Sequence, residues 1–127
     1  MDPVWLSEAL VFALHDRLLA EHGGSEGLRD ASLLESALAR PRQLLAYGDP
    51  DIFDLAAGYS TGIIRNHPFV DGNKRTGFMT AYTFLRRNGY RIVAREVEVV
   101  QFVSKLAASD IDETAFARWL RENCETD

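Results

Sequence analysis

The sequence predicts an all-α fold, a compact single-domain bundle of five to six helices over residues 1–127. Three observations predict it. Apolar residues recur at three- and four-residue spacing in successive segments, the period of helices with a buried face. Glycine, proline, acidic and hydroxyl residues separate those segments, and these are the residues that start and stop helices. The only strand-like stretch, Tyr90–Ala94, is short and has no obvious partner, so no sheet of any size is expected.

The elements follow in order. Leu6, Leu10, Ala13, Leu14 and Leu18 predict a first helix from Val4 to Glu21, ended by Gly23-Gly24. His15 lies beside its apolar stripe; it reads as a core-edge histidine with a satisfied ring rather than a second site residue. His22 falls in the last turn, where the helix dipole favours a cation. After a polar loop, Ser25–Asp30, the pair Ser32 and Glu35 forms a capping box that opens a helix to about Ala39. Pro41 is expected to stop it. Pro41–Asp51 then reads as a surface connection with a helical turn at Gln43–Tyr47, either a plain connector or a functional loop. Ile52–Asn66 is apolar on more than one side, the mark of a helix inside the fold. Pro68 ends it and leaves His67 on a loop, with Phe69 anchoring that loop to the core. A further helix runs from Asn73 or Lys74 to about Asn88, with Phe78, Met79, Ala81, Tyr82, Phe84 and Leu85 as core. Tyr90–Ala94 is expected as extended loop. Glu96–Ala108 is amphipathic through Val99, Val100, Val103 and Leu106. Asp110 and Glu113 open a last helix that buries Phe116, Trp119 and Leu120.

Composition narrows the function classes. A chain of 127 residues, 46% apolar and 26% charged, is globular rather than disordered. A net charge of −5 disfavours direct nucleic-acid binding. One cysteine, Cys124, permits no intramolecular disulfide. No apolar run reaches the roughly 18 residues that span a bilayer, and the N-terminus lacks the pattern of a secretory signal. The expected location is the cytoplasm, away from membranes.

The chemistry concentrates in His67–Thr76, HPFVDGNKRT. A glycine turn that leads into a helix exposes unpaired N–H groups at the positive end of the helix dipole, an anion site before any side chain is counted. Gly72 supplies the turn. Asn73, Lys74 and Arg75 add an amide, a point cation and a bidentate fork, a set suited to a polyphosphate. A basic first turn opposes the helix dipole unless an anion sits there. Asp71 is the one acid beside them, and nucleotide-bound Mg²⁺ needs only one or two protein carboxylates. His67 can take a proton from an attacking hydroxyl. Together these make a phosphoryl- or nucleotidyl-transfer site. The chain has no GxxxxGK[ST] loop and no zinc-ligand spacing.

HPFVDGNKRT resembles the signature of the Fic/Doc superfamily, and more closely that of the Doc (death-on-curing) toxins of bacterial toxin–antitoxin modules. LHDRLLAEHGG, GLRD and FLRRNGY look like the same family, so the resemblance covers nearly the whole chain. It implies a Fic/Doc-like helical fold. Fic adenylyltransferases have glycine where this chain has Lys74 and a second arginine where it has Phe78; both departures look like Doc. Gly72 stands where the Doc pattern has alanine and the Fic pattern has glycine. The resemblance then implies a kinase that uses ATP and Mg²⁺ to phosphorylate a threonine of elongation factor Tu. His67 would be the base and Asp71 the Mg²⁺ ligand, while Gly72, Asn73, Lys74 and Arg75 would hold phosphates. It also implies a cognate antitoxin whose C-terminal segment folds onto the toxin. The competing readings are AMP transfer by a Fic-like enzyme and a non-catalytic module that keeps the motif as an anion or nucleotide site.

Overall fold

Every residue from Leu55 to Ile64 is buried, which makes α3 (Ile52–Asn66) the axis of the molecule. The computed structural model describes residues 1–127. Around α3 lie α1 (Glu8–His22), α2 (Ala31–Tyr47), α4 (Asn73–Arg87), α5 (Glu96–Ala107) and α6 (Glu113–Glu122). Asp51 starts α3 with a capping box: its carboxylate accepts from the Asp54 N–H, and the Asp54 side chain accepts from the Asp51 N–H. Small residues let neighbours approach closely. A Cβ at Gly62 would lie 3.0 Å from the Ala37 Cα on α2. One at Gly77 on α4 would lie 2.8 Å from Ile64 Cγ1, and Ser60 Oγ donates to the Gly77 carbonyl across that contact at 2.7 Å.

The main core gathers Leu55, Tyr59, Phe84, Leu106, Phe116 and Leu120. A second cluster of Val11, Leu34, Ala37, Ile63 and Phe69 lies under the HPFVDGNKRT loop. The all-α bundle of six helices is therefore as expected, and α3, α4 and α5 fall within one residue of their expected ranges.

Four expectations need correction. Helix α1 starts at Glu8, capped by Ser7, rather than at Val4. Val4 instead exchanges backbone hydrogen bonds with the Asn88 side chain at the end of α4, which holds the first residues extended. Helix α2 runs through Pro41 to Tyr47 and does not stop near Ala39. A proline inside a helix costs about 3 kcal/mol. Here the buried stripe Leu34, Ala37 and Pro41, extended by Leu38, Leu44 and Leu45, packs on α3, and Pro41 itself sits against Gly58. The connection to α3 shrinks to Gly48–Asp51. Caps also shift: Asp30, not Ser32, accepts from Leu33 N, and Asp112, not Asp110, accepts from Ala115 N. Finally, Tyr90–Ile92 is not a loop. It forms β1 and pairs antiparallel with β2 (Cys124–Thr126), with Arg91 opposite Glu125 and an ion pair between them. The same pairing half-buries Cys124, and that burial pushes its thiol up to about 11, so it is an unreactive packing residue.

Candidate active site at the start of α4

The loop from His67 to Gly72 joins the C-terminal end of α3 to the N-terminal end of α4. His67 caps α3 in the left-handed region, φ 52° and ψ 54°, a conformation that costs a non-glycine residue about 1–2 kcal/mol. Pro68 prevents the helix from continuing through it. Phe69 is 1% exposed; its ring stacks on His15 at 3.8 Å and meets Phe12 edge-on. The expected anchor of the loop is therefore in place.

Asn73 closes the loop from inside. Its Nδ2 donates to the Phe69 carbonyl at 2.9 Å, and its Oδ1 accepts from the Phe69 N–H at 3.0 Å. The side chain is buried and both its polar atoms are engaged. The expectation that this amide is offered to a phosphate therefore needs correction: what Asn73 presents outward is its backbone N–H.

Gly72 adopts φ 78°, and Thr76 N–H is the first of α4 to find a carbonyl, that of Gly72. The N–H groups of Asn73, Lys74 and Arg75 have no acceptor within the protein. Three convergent free N–H groups at a helix start form an anion nest. Lys74 and Arg75 are exposed and no carboxylate lies within ion-pairing distance of either.

Asp71 is held at its other end. Its carboxylate accepts from Ser25 N at 3.2 Å and from Gly72 N at 2.9 Å. Those two N–H groups, with smaller help from the charges of Arg75 and His15, hold its pKa below the ordinary carboxylate value. A Cβ at Gly24 would lie 2.9 Å from Asp71 Oδ2, so only glycine fits there, at φ 125°. No three His, Cys, Asp or Glu side chains converge on a metal position.

A cleft of about 600 Å³ opens over these groups. His67, Asp71, Lys74 and Arg75 line it. Ile64 and Phe78, with Val99 and Val103 of α5, supply its apolar lining. The structure thus brings together all six residues singled out in the sequence, His67 and Asp71 to Arg75, around one cavity. An imidazole, a carboxylate, two cations and free N–H groups in one cleft are groups that phosphoryl- or nucleotidyl-transfer chemistry can use.

Sequence reasoning missed three supports. His15 is 2% exposed, and its Nε2 lies 2.8 Å from the Asp71 carbonyl oxygen; a carbonyl only accepts, so Nε2 carries the proton. It is the satisfied core histidine expected, but it also braces the loop. Arg29 donates to the carbonyls of His67 and Asn66. Gly24 makes room for Asp71, and the doubling of Gly23-Gly24 was the available signal, since one glycine suffices to end a helix.

A model of the Fic/DOC family matches residues 5–85, which contain the His67–Thr76 run and its supports His15, Gly24 and Arg29. The chain belongs to the Fic/DOC family. Among known members it is 32% identical over 117 residues to the "Protein kinase doc" of Escherichia phage P1, covering 91% of this chain and 92% of that protein. It is 45% identical over 75 residues to the "Toxin Doc" of Mycolicibacterium smegmatis, covering 57% of each chain. These relatives put it on the Doc side of the Fic/DOC family.

Proposed function

We propose that this Fic/DOC protein is the toxin of a type II toxin–antitoxin module. It acts as an ATP-dependent protein kinase that moves the γ-phosphate of ATP to a threonine of elongation factor Tu and so arrests translation in the cytoplasm. The observation that carries the reading is the set of three free N–H groups with the Lys74 and Arg75 side chains, lining one cleft with His67. The likeness to a protein named as a kinase, over nearly its full length, supports the same choice.

The chemistry follows from the residues. The nest of Asn73, Lys74 and Arg75 N–H groups orients the phosphates, and the two side-chain cations offset their charge. The His67 imidazole, exposed on its loop, takes the proton of the target hydroxyl while the hydroxyl oxygen bonds to the γ-phosphorus. The bond from that phosphorus to its bridging oxygen breaks, and ADP leaves. The Asp71 carboxylate stays ionised at neutral pH and would be the one protein carboxylate to hold Mg²⁺. Bound Mg²⁺ would supply charge neutralisation at the phosphate oxygens. The antitoxin, through its C-terminal segment, would provide inhibition in trans.

AMP transfer is the second reading. Phe78 argues against it: its ring contributes to the apolar lining of the cleft, where a Fic-type second arginine would have to hold outer phosphates. A non-catalytic nucleotide-binding module is the third.

The test uses purified protein, Mg²⁺ and elongation factor Tu with ATP labelled at the α- or the γ-phosphate. Label on the target from the γ position alone, lost in His67→Ala with the fold intact, is the expected result. Label from the α position would mean AMP transfer. Nucleotide binding with no transfer to any protein target would leave the binding-module reading.

A further inference from the structure

Arg29 lies 38 residues before His67 in the sequence and lines no part of the cleft. Its Nε donates to the His67 carbonyl at 2.7 Å and its Nη2 to the Asn66 carbonyl at 2.9 Å. Those two oxygens belong to the two peptide planes on either side of the His67 Cα. The plane before it rotates about φ, and the plane after it rotates about ψ. One rigid guanidinium bonded to both oxygens therefore ties both torsions at once, and these torsions aim the Cα–Cβ bond of His67.

The arginine is itself anchored. Its own N–H and that of Asp30 both donate to the Pro68 carbonyl, at 2.7 and 3.0 Å. Val70 N–H donates to the Gly27 carbonyl, and Leu28 bridges to Phe69. No carboxylate pairs with the Arg29 side chain, so its charge faces the carbonyl end of α3, where the helix dipole is negative. His67 needs such a clamp because it holds a left-handed backbone conformation that is unfavourable for a residue with a side chain.

We propose that Arg29 is a positioning residue that locks the backbone of His67 in the left-handed conformation presenting its imidazole to the cleft. The positioning claim is independent of the chemistry; its consequence for rate rests on the transferase reading above. A lysine, with one compact donor group, cannot reproduce a fork across two peptide planes.

The test compares wild type with Arg29→Ala, Arg29→Lys and Arg29→Gln. In the labelled-ATP assay, Arg29→Ala lowers kcat on the order of tenfold to a hundredfold, the scale of a misplacement near 1 Å. KM for ATP is unchanged, because the phosphate nest lies on α4. Arg29→Gln, with one N–H donor group, recovers part of the rate. A second readout needs no activity: the chain has three histidines, so the imidazole NMR signals are few and His67→Ala assigns those of His67. In Arg29→Ala and Arg29→Gln the His67 ring signals shift toward those of a free, averaged imidazole, while those of His22 stay in place. Unchanged His67 signals in both variants would overturn the proposal. So would a fall in kcat accompanied by an equal loss of ATP binding and of thermal stability, which marks general destabilisation. Wild-type protein that transfers no label but shows the His67 shift on mutation would sink the transferase reading alone.

Discussion

The His67–Gly72 loop is held by residues far from it in sequence, and His15 shows this at the level of a single ring. Its Nε2–H reaches the Asp71 carbonyl from α1, and its face lies on Phe69. Replacing it with alanine leaves a part-buried carbonyl without its donor and removes the stacking partner of Phe69. An unmade buried hydrogen bond costs about 1–3 kcal/mol. His15→Ala should lower the urea midpoint accordingly and weaken nucleotide binding, because Asp71 and Gly72 lose their brace. His15→Gln keeps an N–H donor group and should recover part of both. Equal loss in the two variants, by urea unfolding and nucleotide titration, would show that the ring's packing matters and its hydrogen bond does not.

At the scale of elements, α4 begins with an electrostatic conflict. Its first turn carries Lys74 and Arg75 and no acidic residue, against the sign of the helix dipole. The other helices obey the dipole rule or are neutral: Glu8, Asp54, Glu96 and Glu113 occupy first turns of α1, α3, α5 and α6. Lys74→Glu should therefore stabilise the free protein, by about 0.3–1 kcal/mol from the dipole alone, while abolishing binding of a nucleotide phosphate. Thermal melts with and without ATP and Mg²⁺ separate the two effects. The wild type should gain stability with ligand through mass action, and the variant should start higher and gain nothing. A variant that starts lower would mean that Lys74 has a structural partner.

The whole molecule was legible in its helices and in its central loop, and illegible where distant segments meet. Periodicity located α3 and α4, since a helix buried on several sides leaves an apolar record along its own length. Pro41 misled because its intrinsic cost is local, whereas the contact with Gly58 that offsets it lies on another helix. The pairing of β1 with β2 was hidden for a related reason: α5 and α6 separate Ile92 from Cys124, so no local turn signal marks the pair. In the site, the His67–Thr76 run was visible as a motif, but the supports from Gly24, Ser25 and Arg29 arise only when the α1–α2 loop folds across it. Contacts of this local and distant kind also set the response of the fold to acid. Asp30, Asp51 and Asp71 all have lowered pKa values. The Ser32 hydroxyl and Leu33 N–H lower Asp30; at Asp51 burial raises the value, but the Asp54 N–H and Arg121 outweigh it; Ser25 and Gly72 N–H groups lower Asp71. Each group binds its proton less tightly folded than unfolded, so the unfolded chain takes up protons first as pH falls. Their stabilisation is complete above the unfolded pKa, near 4, and is lost as pH drops through the lower folded values. Stability should be flat from neutral pH to about pH 5 and should fall steeply below about pH 4. Asp30→Asn isolates one contribution, because asparagine caps a helix about as well as aspartate but does not titrate. Urea midpoints followed from pH 7 to pH 3 should nearly coincide for wild type and Asp30→Asn at neutral pH. Below pH 4 the variant should lose less, and identical curves throughout would mean that the Asp30 carboxylate has the same proton affinity folded and unfolded.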